Sequence, residues 1–203
     1  YMNKETIRIE NNGETLIITK PARETGGLVT EFEGFDEPGI GPPYHVHFKQ
    51  EEWIQVIKGR MRVKTGTQEI VLTEGEEYVF APGEPHKFWN DGEERLHYKG
   101  YVKPSLNYEY FIRHVYQSAN EAKADKPGAF DAAYLLTRYG SEFDILDIPK
   151  PVKSLVFPLL MLIGRFTGKF RKFRDSPPPV AYPANPARTR HSVPARARAP
   201  PLR

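Results

Sequence analysis

Through the first hundred positions, apolar and polar residues alternate in short runs broken by turn formers. Residues 15–19, Thr-Leu-Ile-Ile-Thr, are β-branched and bounded by Asn-Gly and Pro-Ala. Residues 28–32 alternate and close at Gly34 and at Asp36-Glu37-Pro38-Gly39. Pro42-Pro43 then delivers extended chain into Tyr44-His45-Val46-His47. Strands are expected at 52–57, 60–65, 69–72, 77–80, 86–89 and 95–102, punctuated by Gly59, Gly66, Gly75, Gly83 and Gly92. Many short strands at near-regular spacing predict a barrel or sandwich.

Beyond Pro104 the period changes. Tyr108, Phe111, Ile112 and Val115 fall at i, i+3, i+4 and i+7, predicting a helix over 108–124. Pro127-Gly128 breaks it, and 130–139 repeats the pattern before Gly140. Residues 155–166, Leu-Val-Phe-Pro-Leu-Leu-Met-Leu-Ile-Gly-Arg-Phe, are the most apolar run. A membrane-spanning helix needs about 20 apolar residues, so this one is too short to cross a bilayer. Lys150 and Lys153 precede it, and Arg165, Lys169, Arg171, Lys172 and Arg174 follow. Two placements are open: docking on the chain's own barrel or a second subunit, or lying in a membrane interface with its cations toward anionic lipid. From Ser176 onward Pro, Arg and Ala dominate, a composition that builds no core, so a disordered tail is expected.

Composition changes this picture in two ways. Cysteine is absent, which removes thiolate ligands, a catalytic cysteine and disulfides, and fits a reducing, cytoplasmic setting. The polar N-terminal residues lack the apolar core of a secretory signal. The net charge of +3 hides an asymmetry: residues 1–149 hold 17 basic and 25 acidic side chains, a net of −8, whereas 150–203 hold 12 basic and one acidic, a net of +11. The expected organisation is a barrel over 1–104, packing helices over 105–148, an apolar-basic helix over 149–175 and the tail over 176–203. The tail's arginines could meet phosphates nonspecifically, but no specific nucleic-acid module precedes the barrel.

The candidate chemistry lies in His45, His47, Glu52 and His86. Alternate residues of a strand share a face, so His45 and His47 can converge on one ion while Val46 points away. Three imidazoles and a carboxylate suit a divalent transition metal. Glu51 is the rival to Glu52, and the parity of Glu52 with Ile54 and Val56 favours Glu52. His97, His114 and His191 lie apart from this set. No phosphate-binding glycine loop, Ser-His-Asp arrangement or zinc-finger spacing occurs.

The stretch Gly39, His45-Val46-His47, Glu52, Gly59, followed by Gly75, Pro82-Gly83-Glu84-Pro85-His86 and Asn90, resembles the two motifs of the cupin superfamily. Ala81 departs from the family's usual proline, though Pro82 follows at once. The resemblance implies a mainly β fold, a single jelly-roll (double-stranded β-helix) barrel, and His45, His47, Glu52 and His86 as metal ligands. It also suggests a homodimer. Iron(II) or manganese(II) leads as the metal, with nickel, copper and zinc behind, since zinc prefers fewer ligands. Gln55, Arg62, Tyr78, Phe80, Phe88, Trp89 and Tyr98 are candidates for the wall of a substrate pocket, about half of which can face inward. A metal-dependent oxygenase-like or isomerase-like enzyme for a small molecule is the leading expectation. The alternatives are a ligand-binding or sensing module without turnover, and a peripheral membrane protein using residues 150–174. The superfamily hosts many chemistries on one scaffold, so the resemblance leaves the reaction open.

Overall fold

A computed structural model describes residues 5–8, 12–66 and 68–180, with only the backbone at Glu5, Thr6 and Arg8. The chain forms strands β1 (Glu5–Arg8), β2 (Glu14–Lys20), β3 (Thr30–Asp36), β4 (His45–His47), β5 (Glu51–Lys58), β6 (Met61–Thr65), β7 (Gln68–Leu72), β8 (Glu77–Phe80), β9 (His86–Asn90) and β10 (Leu96–Lys103). Helices α1 (Tyr108–Ala122) and α2 (Ala129–Arg138), strand β11 (Phe143–Ile145) and helix α3 (Phe157–Thr167) follow. One antiparallel sheet runs β1-β2-β3-β10-β5-β8 and the other runs β11-β4-β9-β6-β7. Six of the nine neighbouring pairs join strands that are distant in the chain, the jelly-roll arrangement that the family resemblance implied.

The core follows the strand period. Residues of β3 and β10 alternate between buried and half-exposed along most of their length, and β5 does so up to Val56. Leu16, Ile18, Phe32, Ile54, Val56, Met61, Val63, Phe88 and Tyr98 fill the space between the sheets. Tyr108, Phe111, Tyr116 and Ala119 of α1, with Leu135 of α2, extend the same apolar cluster, so the helices close the barrel and are part of its core. Their predicted ranges agree with the structure to within about two residues.

Four elements differ from the sequence expectation. β3 runs on through Gly34, which pairs directly with Tyr98. A Cβ at Gly34 would fall on Tyr98 Cζ, so this glycine makes room for a ring rather than ending a strand. β1 and β11 carry too few residues to give a pattern of their own. The single apolar-basic helix expected over 149–175 is instead divided into a π-helical turn over Val152–Val156, α3 and a short 3₁₀ turn over Lys169–Phe173. Pro158 sits in the first turn of α3, where its missing N–H is tolerated.

The expected disordered tail has a fixed beginning. Residues 176–180 contain no helix or strand, yet Arg138 donates to the Ser176 and Pro177 carbonyls, Asn107 Nδ2 to the Pro178 carbonyl and Ser141 Oγ to the Val180 carbonyl. Residues 181–203 of the expected tail, with His191, lie outside the described residues.

Candidate metal centre

Three strands bring the site together. β4 contributes His45 and His47, β5 contributes Glu52 and β9 contributes His86, which is paired directly with His45 across the sheet. Glu52 sits on the facing sheet opposite Phe80. The ligand atoms of these four residues all lie within 4.8 Å of one another. Glu52 Oε2 is the hub, 3.0 Å from His86 Nε2, 3.7 Å from His47 Nε2 and 3.9 Å from His45 Nε2. This cluster could hold a metal ion.

Hydrogen bonding sharpens that conclusion. His45 Nδ1 lies 2.8 Å from the Pro43 carbonyl, and His86 Nδ1 lies 2.8 Å from the Glu84 carbonyl. A carbonyl oxygen only accepts, so the Nδ1 side of each ring is held toward its carbonyl and the Nε2 side of each faces the centre. The Nε2 atoms of His45 and His86 and the Glu52 carboxylate oxygen therefore converge on one point, the donor set a divalent cation takes. The backbone carbonyls also orient the rings, as partners of metal-binding histidines do. His86 is held further by Phe80, whose ring stacks on it at 3.8 Å. His47 packs edge-on to Phe143 at 5.3 Å and lies 6.0 Å from Tyr108.

The electrostatics fit the same role. Burial pushes the His45 imidazole well below its ordinary value and His47 down to about 4. Burial alone would raise Glu52, but the hydrogen bond from His86 and the fields of His47, His86 and His45 outweigh it and hold the carboxyl at about 2. His45 and His47 are thus neutral and Glu52 ionised at neutral pH, the forms that coordinate metal. His45 has the most exposed side chain of the four, at 12%, against 1% for His86, so solvent reaches the centre from the β4 side.

Glu51 is excluded from the cluster: it faces the other way and accepts a hydrogen bond from Tyr101. His97 stacks on Phe35 and His114 on Tyr110, both away from the centre. Of the expected pocket residues, Phe80, Phe88 and Tyr98 point inward and Tyr78 packs against the same core from a partly buried position. Gln55 and Arg62 are corrections. Gln55 has the opposite parity to Glu52 and donates to the Gly75 carbonyl on the outside. Arg62 alternates with buried Met61 and Val63 and forks onto Asp91 at 3.0 and 2.8 Å, with Trp89 beside it on the same outer face. Both lie outside any pocket at the cluster.

Sequence patterning gave no hint of Glu142. It is fully buried and accepts hydrogen bonds from Gln50 Nε2, Asn107 N and Asn107 Nδ2, while its backbone carbonyl accepts from Phe48 N–H. It thereby ties the turn after β4 to the start of α1. The signal was a lone acid beside an apolar Phe143, which is indistinguishable in sequence from a surface residue.

A model of the cupin domain matches residues 35–101. A protein from Hypocrea virens described as a probable oxidoreductase is 31% identical over 67 residues, 32% of this chain and 31% of that relative. The chain therefore matches about a third of that relative's length. Among solved structures, a sugar phosphate isomerase of the cupin superfamily from Silicibacter pomeroyi aligns with a TM-score of 0.41 at 19% identity, covering 45% of this chain and 59% of that one. A predicted oxalate decarboxylase from Thermotoga maritima aligns with a TM-score of 0.45 at 15% identity, covering 49% and 90%.

Proposed function

With residues 35–101 forming a cupin domain, we propose that the chain is a metal-dependent enzyme acting on a small molecule, of oxygenase-like or isomerase-like type. The observation that carries this reading is the convergence of Glu52 Oε2 with the Nε2 atoms of His45, His47 and His86. His45, His47, Glu52 and His86 would hold iron(II) or manganese(II), and four protein donors leave about two positions of an octahedral ion open to a substrate. Bound there, the ion would supply Lewis acidity and a place for a small oxygen ligand.

The chain's own residues define what surrounds that position. Glu52 would offset one unit of a bound ion's charge from within the barrel, where screening by water is weak. Phe80, Phe88 and Tyr98 line the barrel beside the histidines and exclude water from that side. A ligand must therefore approach from the side of His45, against a wall suited to a flat or partly apolar molecule. The likeness to a relative described as a probable oxidoreductase supports redox chemistry over isomerisation.

Elemental analysis of protein purified without a histidine tag is the first test. About one iron or manganese per chain is expected, with loss of the metal in His45→Ala and His86→Ala while circular dichroism stays unchanged. A folded protein that takes up neither ion would overturn the reading. Oxygen uptake by the iron(II) form across a substrate panel then separates an oxygenase from a module that binds without turnover.

A further inference from the structure

The face of α3 turned away from the body is apolar. Leu159, Leu162, Ile163 and Phe166 fall at i, i+3, i+4 and i+7, one stripe of the helix, and are 56, 54, 40 and 85% exposed. Leu155 in the preceding π-helical turn is 72% exposed. The opposite side of the helix is already occupied: Phe157 and Gly164 are buried, and the Phe170 ring lies against Gly164. A contiguous apolar ridge of this kind marks an interaction surface.

We propose that this ridge docks the protein onto an anionic lipid bilayer, with α3 lying in the plane of the interface. Charge is the first reason. Residues 150–174 contain seven Lys and Arg and no acid. Lys153 pairs with Asp144, and Lys172 with Glu121 and Asp131. Lys150, Arg165, Lys169, Arg171 and Arg174 are exposed and have no carboxylate partner among the described residues. A second copy of this face would set five unpaired cations against five, so self-association is disfavoured where an anionic surface is attractive.

Shape is the second reason. Phe166 and Leu155 project from the helix, 85 and 72% exposed; a folded partner needs a matching groove, whereas fluid lipid moulds around projections. Length fixes the orientation. The π-helical turn and α3 together span 16 residues, about 24 Å at 1.5 Å per residue, and no described helix is long and apolar enough to cross a membrane. The net of −8 over residues 1–149 turns the barrel away from the lipid and leaves the cationic end facing it.

Flotation of the full chain with two kinds of vesicle tests the proposal: phosphatidylcholine alone, and phosphatidylcholine mixed with phosphatidylglycerol. The protein should float with the mixed vesicles only, and less as salt rises. Leu162→Asp with Phe166→Asp should lower partition roughly tenfold or more, and each of Arg165→Glu and Lys169→Glu about fivefold or more. Both apolar positions are exposed, so thermal unfolding should be unchanged. As a second readout, Phe166→Trp should show blue-shifted emission, quenched by nitroxide-labelled lipid, on the mixed vesicles. Absence of binding, equal binding to neutral vesicles, or full binding by the double aspartate variant would overturn the proposal. So would a wild-type dimer that the same variant converts to monomer, since the ridge would then be a subunit interface.

Discussion

Replacing Glu142 by glutamine asks whether the C-terminal region holds the metal-binding strand in place. The change keeps volume and shape, so packing is not the variable. One carboxylate oxygen accepts from Asn107 Nδ2 at 2.6 Å and Val180 N–H at 3.4 Å; the other accepts from Gln50 Nε2 at 3.0 Å and Asn107 N–H at 3.1 Å. Glutamine turns one of these oxygens into an amide nitrogen, so two donors lose their acceptor whichever way the amide settles. Hydrogen bonds to a charged group are worth about 1.5–3 kcal/mol each, and the bond at 3.4 Å contributes little, which puts the loss near 3 kcal/mol. For a chain of this size that lowers Tm by roughly 6–12 °C. Urea and thermal unfolding with and without chelator measure it, and a loss below about 1 kcal/mol refutes the reasoning. Because β11 pairs with β4 from His45 to His47, the metal Kd should also weaken, by about tenfold. Lost stability with unchanged metal affinity would show that β11 does not support the ligand strand.

The remaining predictions concern pH and packing. His47 is lowered from its ordinary 6.5 to about 4 by burial, so the unfolded chain takes up this proton first; metal-free stability is fully present above pH 6.5 and falls toward pH 4, by on the order of 3 kcal/mol, in unfolding curves taken across that range. Glu52, lowered to about 2, extends the same loss below pH 4.5, and metal retention followed by dialysis should fail in parallel. Asp36 behaves in the opposite sense. Burial, with the nearby Glu14 carboxylate, raises it well above 3.8, so its contribution is lost as pH rises; Asp36→Asn should unfold at a higher temperature than the wild type near neutrality, by a margin that grows with pH. Gly34→Ala places a methyl on the Tyr98 ring and should cost about 1–3 kcal/mol or more by denaturant unfolding, while an alanine at half-buried Gly128, whose Cβ would meet only Ser118 Oγ at 3.8 Å, should cost far less.

The barrel was legible in the sequence because its strands alternate cleanly and glycines mark the turns. Three of the ligands were legible because strand parity requires His45 and His47 to share a face and sets Glu52 apart from Glu51, and His86 because it stands in the second motif of the family resemblance. Parity could not decide the pocket wall, since it fixes which residues share a face but not which face looks inward. Arg62 was therefore placed with Tyr78 and Phe80, when its neighbours Met61 and Val63 fill the core and it reaches Asp91 outside. Gly34 misled for a different reason. A glycine that admits a partner's ring reads the same as one that ends a strand, and the ring belongs to Tyr98, far along the chain.

β11 shows why the C-terminal third belongs to the site. The match to the cupin domain ends at residue 101, yet the ligand strand β4 has only three residues and meets β9 through a single pair, His45 with His86. Strands this short and this thinly paired on one side are poorly held in register. β11 supplies three further pairs, at His45, Val46 and His47, and Phe143 places its ring against His47. The segment beyond the matched region thus fixes two of the four ligand side chains. Its position depends in turn on Glu142 and on the packing of α1 and α2 against the barrel. The helices therefore serve the metal centre through β4, and the ridge of α3 sits on the far side of that same support.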